Sequence, residues 1–146
     1  MIEKLINKIN YLPVFYIFMY LILHIYCLDT YPKVWEDETW YSNVAYNFYN
    51  GNGFVNTNVG EMGGDDLIFY TGILGVFYKI FGMSLLVSRL VSVLFGAISL
   101  VGLWQILKLL KVSKTSLVIV MLLFIFSNVN YIVFRTVRPE SSVMMF

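Results

Sequence analysis

Three apolar blocks run along this chain, at about residues 11–28, 85–107 and 115–134. A helix needs roughly 20 apolar residues to cross a hydrocarbon core, so each block predicts a transmembrane span. A fourth apolar run, Leu67–Phe81, is interrupted by Gly72, Gly75 and Lys79 and closed by Gly82. Its roughly 15 residues fall short of a comfortable span and suit a helix lying in the interface or partly re-entrant. In the second block Ser88, Ser92 and Gly96 recur every four residues, putting small side chains on one face where a neighbour can approach closely. Between the first and second blocks, Trp40, Val44 and Phe48 fall at helical spacing with Tyr41, Ala45 and Tyr49 beside them. That pattern predicts a short helix over 37–50 with one aromatic-apolar face, ended by Asn50-Gly51-Asn52-Gly53. The expected fold is therefore an all-α polytopic membrane protein. It has three transmembrane helices, with amphipathic interfacial helices in a first extracytoplasmic loop, residues 29–84.

Composition agrees with this reading. Hydrophobic residues make up 59% of the chain, charged residues 13%, and mean hydropathy is +0.74. Soluble domains carry roughly a quarter charged residues. The first block follows Lys4 and Lys8, as a signal peptide would, but its apolar run is long and no small-residue cleavage site follows. An uncleaved signal-anchor is the expectation. Lys108, Lys111 and Lys114 crowd the link between the second and third blocks, and positive residues in short loops mark the cytoplasmic side. The N-terminus is then cytoplasmic too, while the 29–84 loop and the segment Arg135–Glu140 face outward together. Counting 67–81 as a span would break that agreement. The expected location is an inner or plasma membrane of bacterial type. After Pro139 the residues Ser-Ser-Val-Met-Met-Phe read as the opening of another apolar segment, so the chain is expected to be the N-terminal part of a longer protein.

Charge patterning narrows the chemistry. Seven of the nine acidic residues lie between Asp29 and Asp66, among them the triplet Glu36-Asp37-Glu38. A carboxylate held at a membrane surface can serve as a base in contact with water. Asp37 also suits an N-cap, its oxygen accepting backbone N–H bonds at the start of the helix. Across the chain stands Arg135-Thr-Val-Arg138-Pro-Glu140. Two arginines three apart on a helix end would share a face, and guanidinium groups pair with phosphate in a bidentate fork. Both arginines equally suit anchoring at a span boundary. Pro139 argues for a fixed break after Arg138. Glu61, Asp65 and Asp66 form a second acidic cluster that reads best as a solvated turn beside Gly60, Gly63 and Gly64. His24, near the outer end of the first block, reads as a packing residue rather than a proton carrier. With one cysteine, Cys27, and one histidine, an internal disulfide and a Cys/His metal cluster are excluded. The net charge of +1 says nothing about partners, and no nucleic-acid partner is expected.

In order and spacing the chain resembles the polyprenyl-phosphate-sugar-dependent membrane glycosyltransferases of the GT-C fold. The nearest group is similar to glycosyltransferase family 39, with its protein O-mannosyltransferase-like and aminoarabinose-transferase-like enzymes. The likeness runs from the signal-anchor through Asp37-Glu38 and Trp40-Tyr41 to Asn50-Gly51, then Phe81-Gly82, Ser88-Arg89 and finally Arg138-Pro139-Glu140. A His-Pro-Pro-like turn that such proteins carry before the interfacial run is replaced here by Gly63-Gly64-Asp65-Asp66-Leu67. The resemblance implies transfer of a sugar from a polyprenyl-phosphate donor to an acceptor hydroxyl on a glycan, lipid or protein, with inversion at the anomeric carbon. It implies Asp37 as base with Glu38 assisting or orienting the acceptor, and Arg138, then Arg135, with Glu140 at the phosphate. Members of the group differ in metal use, so a divalent metal stays open and no metal ligand is assigned. Two other readings remain: a small polytopic scaffold without catalysis, and a transporter component.

Overall fold

The computed structural model describes residues 12–58, 61–62 and 68–144, the 61–62 pair by its backbone alone. Lys4, Lys8, Asp65 and Asp66, together with the side chain of Glu61, lie outside the described residues, and with them the basic start and the second acidic cluster.

The described chain is mostly helical. In order it forms α1 (Leu12–Ile25), α2 (Glu36–Tyr49), β1 (Val55–Asn56), β2 (Glu61–Met62), α3 (Ile68–Phe81), α4 (Leu85–Leu109), α5 (Lys114–Phe126), α6 (Asn128–Val133) and α7 (Glu140–Val143). The two short strands pair antiparallel, Val55 opposite Met62 and Asn56 opposite Glu61, where the sequence pattern signalled only a turn. Of these helices only α4 is long and apolar enough to cross a membrane. Its 25 residues reach roughly 37 Å at 1.5 Å per residue. Helices α1, α3 and α5 are apolar but shorter.

The expected third span, 115–134, is not one helix. Ser127 stands in extended backbone between α5 and α6. Its hydroxyl accepts the Asn130 N–H at 3.5 Å, and the Asn130 amide reaches back to the Phe124 carbonyl at 2.9 Å. In Ser127-Asn128-Val129-Asn130, short polar side chains offer the backbone local partners that compete with helical ones. The break is thereby satisfied rather than frayed.

Helix α4 is the shared wall of two cores. On one side Tyr16 and Tyr20 of α1 pack with Val93, Leu100 and Trp104 of α4, Met121 and Ile125 of α5, and Phe134. On the other side Ala45 of α2 and Tyr70, Leu74 and Tyr78 of α3 pack with Val91, Phe95 and Val137. The small-residue stripe of α4 serves both. Tyr78 hydrogen-bonds Ser88 and Tyr70 hydrogen-bonds Ser92, while Gly96 receives Tyr20 and Phe134. A Cβ at Gly96 would lie 1.9 Å from Tyr20 Oη and 2.6 Å from the Phe134 ring, so only glycine fits. The stripe admits aromatic side chains rather than the backbone of another helix. A second close approach joins α2 to α3, where a Cβ at Gly75 would stand 3.0 Å from the Ala45 carbonyl.

Candidate active site

Helix α2 opens with three consecutive carboxylates, and helical geometry turns them about 100° apart from one to the next. Trp35, not Asp37, is the N-cap residue. Asp37 lies inside the first turn, and the cap N–H is instead taken by Glu38, whose Oε1 accepts from Trp35 N at 3.1 Å. This is the reach-back half of a capping box.

The same carboxylate faces the protein interior. Arg89, near the start of α4, meets it with two parallel bonds, Nε to Oε2 and Nη2 to Oε1, each 2.8 Å. The remaining guanidinium donors go to the carbonyls of Leu28 and Pro32, both at 2.8 Å. The backbone N–H of Val137 donates to Glu38 Oε2 at 3.1 Å. The two side chains are 0% and 1% exposed. A buried ion pair holds its charges stably only when geometry is good and the remaining valences are satisfied. Here each guanidinium nitrogen donates and the carboxylate accepts four bonds, and the pair ties together the loop after α1, the start of α2, the start of α4 and the chain beyond α6.

One residue along from each end of that tie stand Asp37 and Arg138. Arg138 Nη2 lies 3.5 Å from Asp37 Oδ2, and Arg138 Nη1 lies 3.6 Å from Glu140 Oε1. Side-chain exposure is 27% for Arg138, 49% for Asp37 and 57% for Glu140. These distances exceed the roughly 2.7–2.9 Å of a formed charge-assisted bond. The cluster is a loose, water-facing triad of two carboxylates about one guanidinium. Tyr41 borders it: burial holds its phenol above the ordinary value, and the negative charges of Glu140 and Asp37 add to that while Arg138 opposes it. Asp37 and Arg138 are 101 residues apart in sequence, so only the fold brings them together.

Arg135 is occupied elsewhere. Helix α6 ends at Val133 and the backbone is irregular by Val137, so the two arginines do not share a helical face as their spacing implied. The Arg135 guanidinium is 1% exposed and turns into the end of α1. It donates to the carbonyls of Leu23 at 2.8 Å, Tyr26 at 2.7 Å, Cys27 at 3.2 Å and Tyr31 at 2.7 Å, and lies 4.7 Å over the Tyr131 ring. A cation at a helix C-terminus is favoured by the unpaired carbonyls there. The non-helical backbone that Pro139 signalled is present at 137–138.

His24 is packed, stacked on Tyr20 with ring centres 4.0 Å apart and with Nδ1 3.0 Å from the Tyr20 carbonyl. The residue that sequence reasoning undervalued is Arg89, noted only within the Ser88-Arg89 pair. A lone arginine in an apolar helix, downstream of an acidic triplet, is itself the signal of a buried partner. Among the described residues no group of three His, Cys, Asp or Glu side chains is placed to hold a metal ion. The chain matches no family model, no curated protein and no solved structure.

Proposed function

We propose that the protein transfers a sugar from a polyprenyl-phosphate donor to an acceptor hydroxyl at the outer membrane face, with inversion. The observation that carries this reading is the meeting of a half-exposed Asp37 with a partly exposed Arg138, set on a buried ion-pair support. An acceptor hydroxyl is a weak nucleophile, and a positioned carboxylate that takes its proton as it attacks lowers the barrier. Asp37 has that role. The departing phosphate carries growing charge, which a preoriented guanidinium neutralises. Arg138 has that role, with Glu140 limiting where its side chain swings. Glu38 is a positioning residue, because its carboxylate is closed off by Arg89 and two backbone N–H groups. Arg135 holds the end of α1 and has no donor group aimed at a substrate.

The membrane setting belongs to the same proposal. Helix α1, α4 and the broken α5–α6 pair are its three spans, with N-terminus cytoplasmic. Apolar side chains exposed along α1 (Phe15, Phe18, Ile22) and α5 (Ile119, Leu123, Phe126) suit lipid or further helices. The Asp37–Arg138 cluster then opens at the outer surface, where the donor's lipid tail keeps its phosphate. The test is Asp37→Asn in the protein as its gene encodes it, assayed in membrane vesicles for transfer of labelled sugar from a polyprenyl-phosphate donor. Loss of a general base costs about 10²–10⁴-fold in rate, so transfer should fall by at least a hundredfold with expression unchanged. Transfer by that variant at the unmodified rate would remove Asp37 from the mechanism.

A further inference from the structure

We propose that a second site, separate from the Asp37–Arg138 cluster, binds an uncharged, hydroxyl-rich ligand of the carbohydrate class. It is an open pocket of about 490 Å³ between α2 and the start of α4, and neither Asp37 nor Arg138 lines it. That volume is within the range of about 300–1,000 Å³ usual for small-molecule sites. Its polar lining is Thr39, Ser42 and Asn43 of α2, Asn58 after β1, and Ser84 and Ser88 at the start of α4. Val34, Met83 and Leu85 supply apolar wall. Among the described lining residues Glu38 brings the single ionisable side chain, and its carboxylate is already closed by Arg89.

The internal hydrogen bonds determine what is left over for a ligand. Ser88 gives its proton to the Ser84 carbonyl at 2.8 Å, so the Tyr78 hydroxyl donates to Ser88 Oγ and that group is used in both directions. Ser84 Oγ accepts from Val87 N at 3.2 Å, which leaves its own proton to donate. Asn43 Oδ1 accepts from Asn47 Nδ2 at 3.0 Å and from the Thr57 N–H at 2.9 Å, fixing the amide so that Nδ2 is the end left as donor. Thr39 gives its proton to the Glu36 carbonyl at 2.6 Å, leaving oxygen lone pairs to accept. The pocket thus offers neutral donors and neutral acceptors set in a mainly apolar wall. Among the described residues that line it, a carboxylate or phosphate would find no free cation, and an ammonium no free anion. A hydroxyl group, donor and acceptor at once, satisfies both kinds of lining atom, and the C–H faces of a sugar ring suit the wall.

This inference is independent of the transfer reaction, because it concerns binding without turnover. The test is saturation-transfer NMR on the purified full protein in detergent, with methyl α-D-mannopyranoside and methyl α-D-glucopyranoside as probes and glucose 1-phosphate as the anionic comparison. A neutral hexoside should give saturable transfer in the millimolar range, and glucose 1-phosphate should bind at least fivefold more weakly. Asn43→Asp keeps an oxygen for Thr57 and Asn47 but replaces the free donor by an acceptor, and should weaken hexoside binding at least fivefold. Met83→Trp, at the exposed rim, fills the pocket without entering the core and should abolish it. Absence of saturable transfer from both hexosides overturns the proposal. So does unchanged hexoside binding in Met83→Trp, or tighter binding of the phosphate than of the hexosides.

Discussion

Two carboxylates adjacent in sequence, Glu38 and Asp37, each face an arginine, and the two pairs differ in almost every physical respect. Glu38 and Arg89 are sealed from water at 2.8 Å with each guanidinium nitrogen and both carboxylate oxygens bonded. Asp37 and Arg138 stand 3.5 Å apart and open to solvent. The rotation of about 100° from one residue to the next separates the interior from water, so consecutive side chains take opposite roles. A closed pair supports structure and has no capacity left for a substrate. A loose pair contributes little to folding, and its donor and acceptor stay free for chemistry. The comparison also locates the candidate pair: it is mounted one residue from the closed one's contacts on both sides, at Asp37 beside Glu38 and at Arg138 beside Val137.

The largest effect should come from breaking the closed pair. Removing one partner of a buried ion pair leaves an uncompensated charge and costs about 3–5 kcal/mol. Glu38→Ala and Arg89→Met should each lower unfolding free energy by that order, measured by denaturant titration in a fixed detergent. The double variant Glu38→Leu/Arg89→Met should be less destabilised than the sum of the singles, because it buries no orphan charge. Additive losses would mean that the two groups do not act as a pair.

A smaller loss is expected at Arg135, whose partners are carbonyls rather than a carboxylate. Hydrogen bonds to a charged group contribute roughly 1.5–3 kcal/mol, and the carbonyls of Leu23, Tyr26 and Tyr31 can regain water at this part-buried end. Arg135→Met should therefore cost about 2–3 kcal/mol, with Arg135→Lys intermediate, on the same denaturant scale. Arg135→Met should also speed amide exchange in the last turn of α1. A variant with unchanged exchange there would argue against Arg135 as the closure of that helix.

The sequence made the helices legible and the wiring mostly illegible. Periodicity over Trp40, Val44 and Phe48 placed α2 within a residue of its observed ends, and Gly82 marked the stop of α3 correctly. The stripe at Ser88, Ser92 and Gly96 was recognised as a close-approach face. What fills it is tyrosine and phenylalanine from α1, α3 and the turn after α6, which depends on contacts distant along the chain. The break at Ser127 was missed because mean hydropathy over 115–134 hides three short polar residues, Ser127, Asn128 and Asn130. For the site, residue type put forward groups that the fold brings together, Asp37, Arg138 and Glu140, since carboxylates and arginines are few. The resemblance ranked Asp37 before Glu38 and Arg138 before Arg135, but residue type alone did not show that Glu38 and Arg135 are buried, because that depends on helix phase and on where α6 ends.

The smallest stability effect should be at the pair that matters most for the proposed reaction. Exposed ion pairs contribute a median of about 0–1 kcal/mol, since water screens the attraction and holding two long side chains costs entropy. At 3.5 Å and with Asp37 half-exposed, the Asp37–Arg138 pair belongs at the low end of that range. A double-mutant cycle of Asp37→Asn and Arg138→Gln should return a stability coupling below about 0.5 kcal/mol. The corresponding cycle on Glu38 and Arg89 should return several-fold more. Run on transfer rates, the Asp37–Arg138 cycle should reverse that ranking. Each single variant removes one half of the charge arrangement needed in the transition state, so the double should be little worse than either. Strong stability coupling at Asp37–Arg138 would instead place the pair with Glu38 and Arg89, as a second structural clasp.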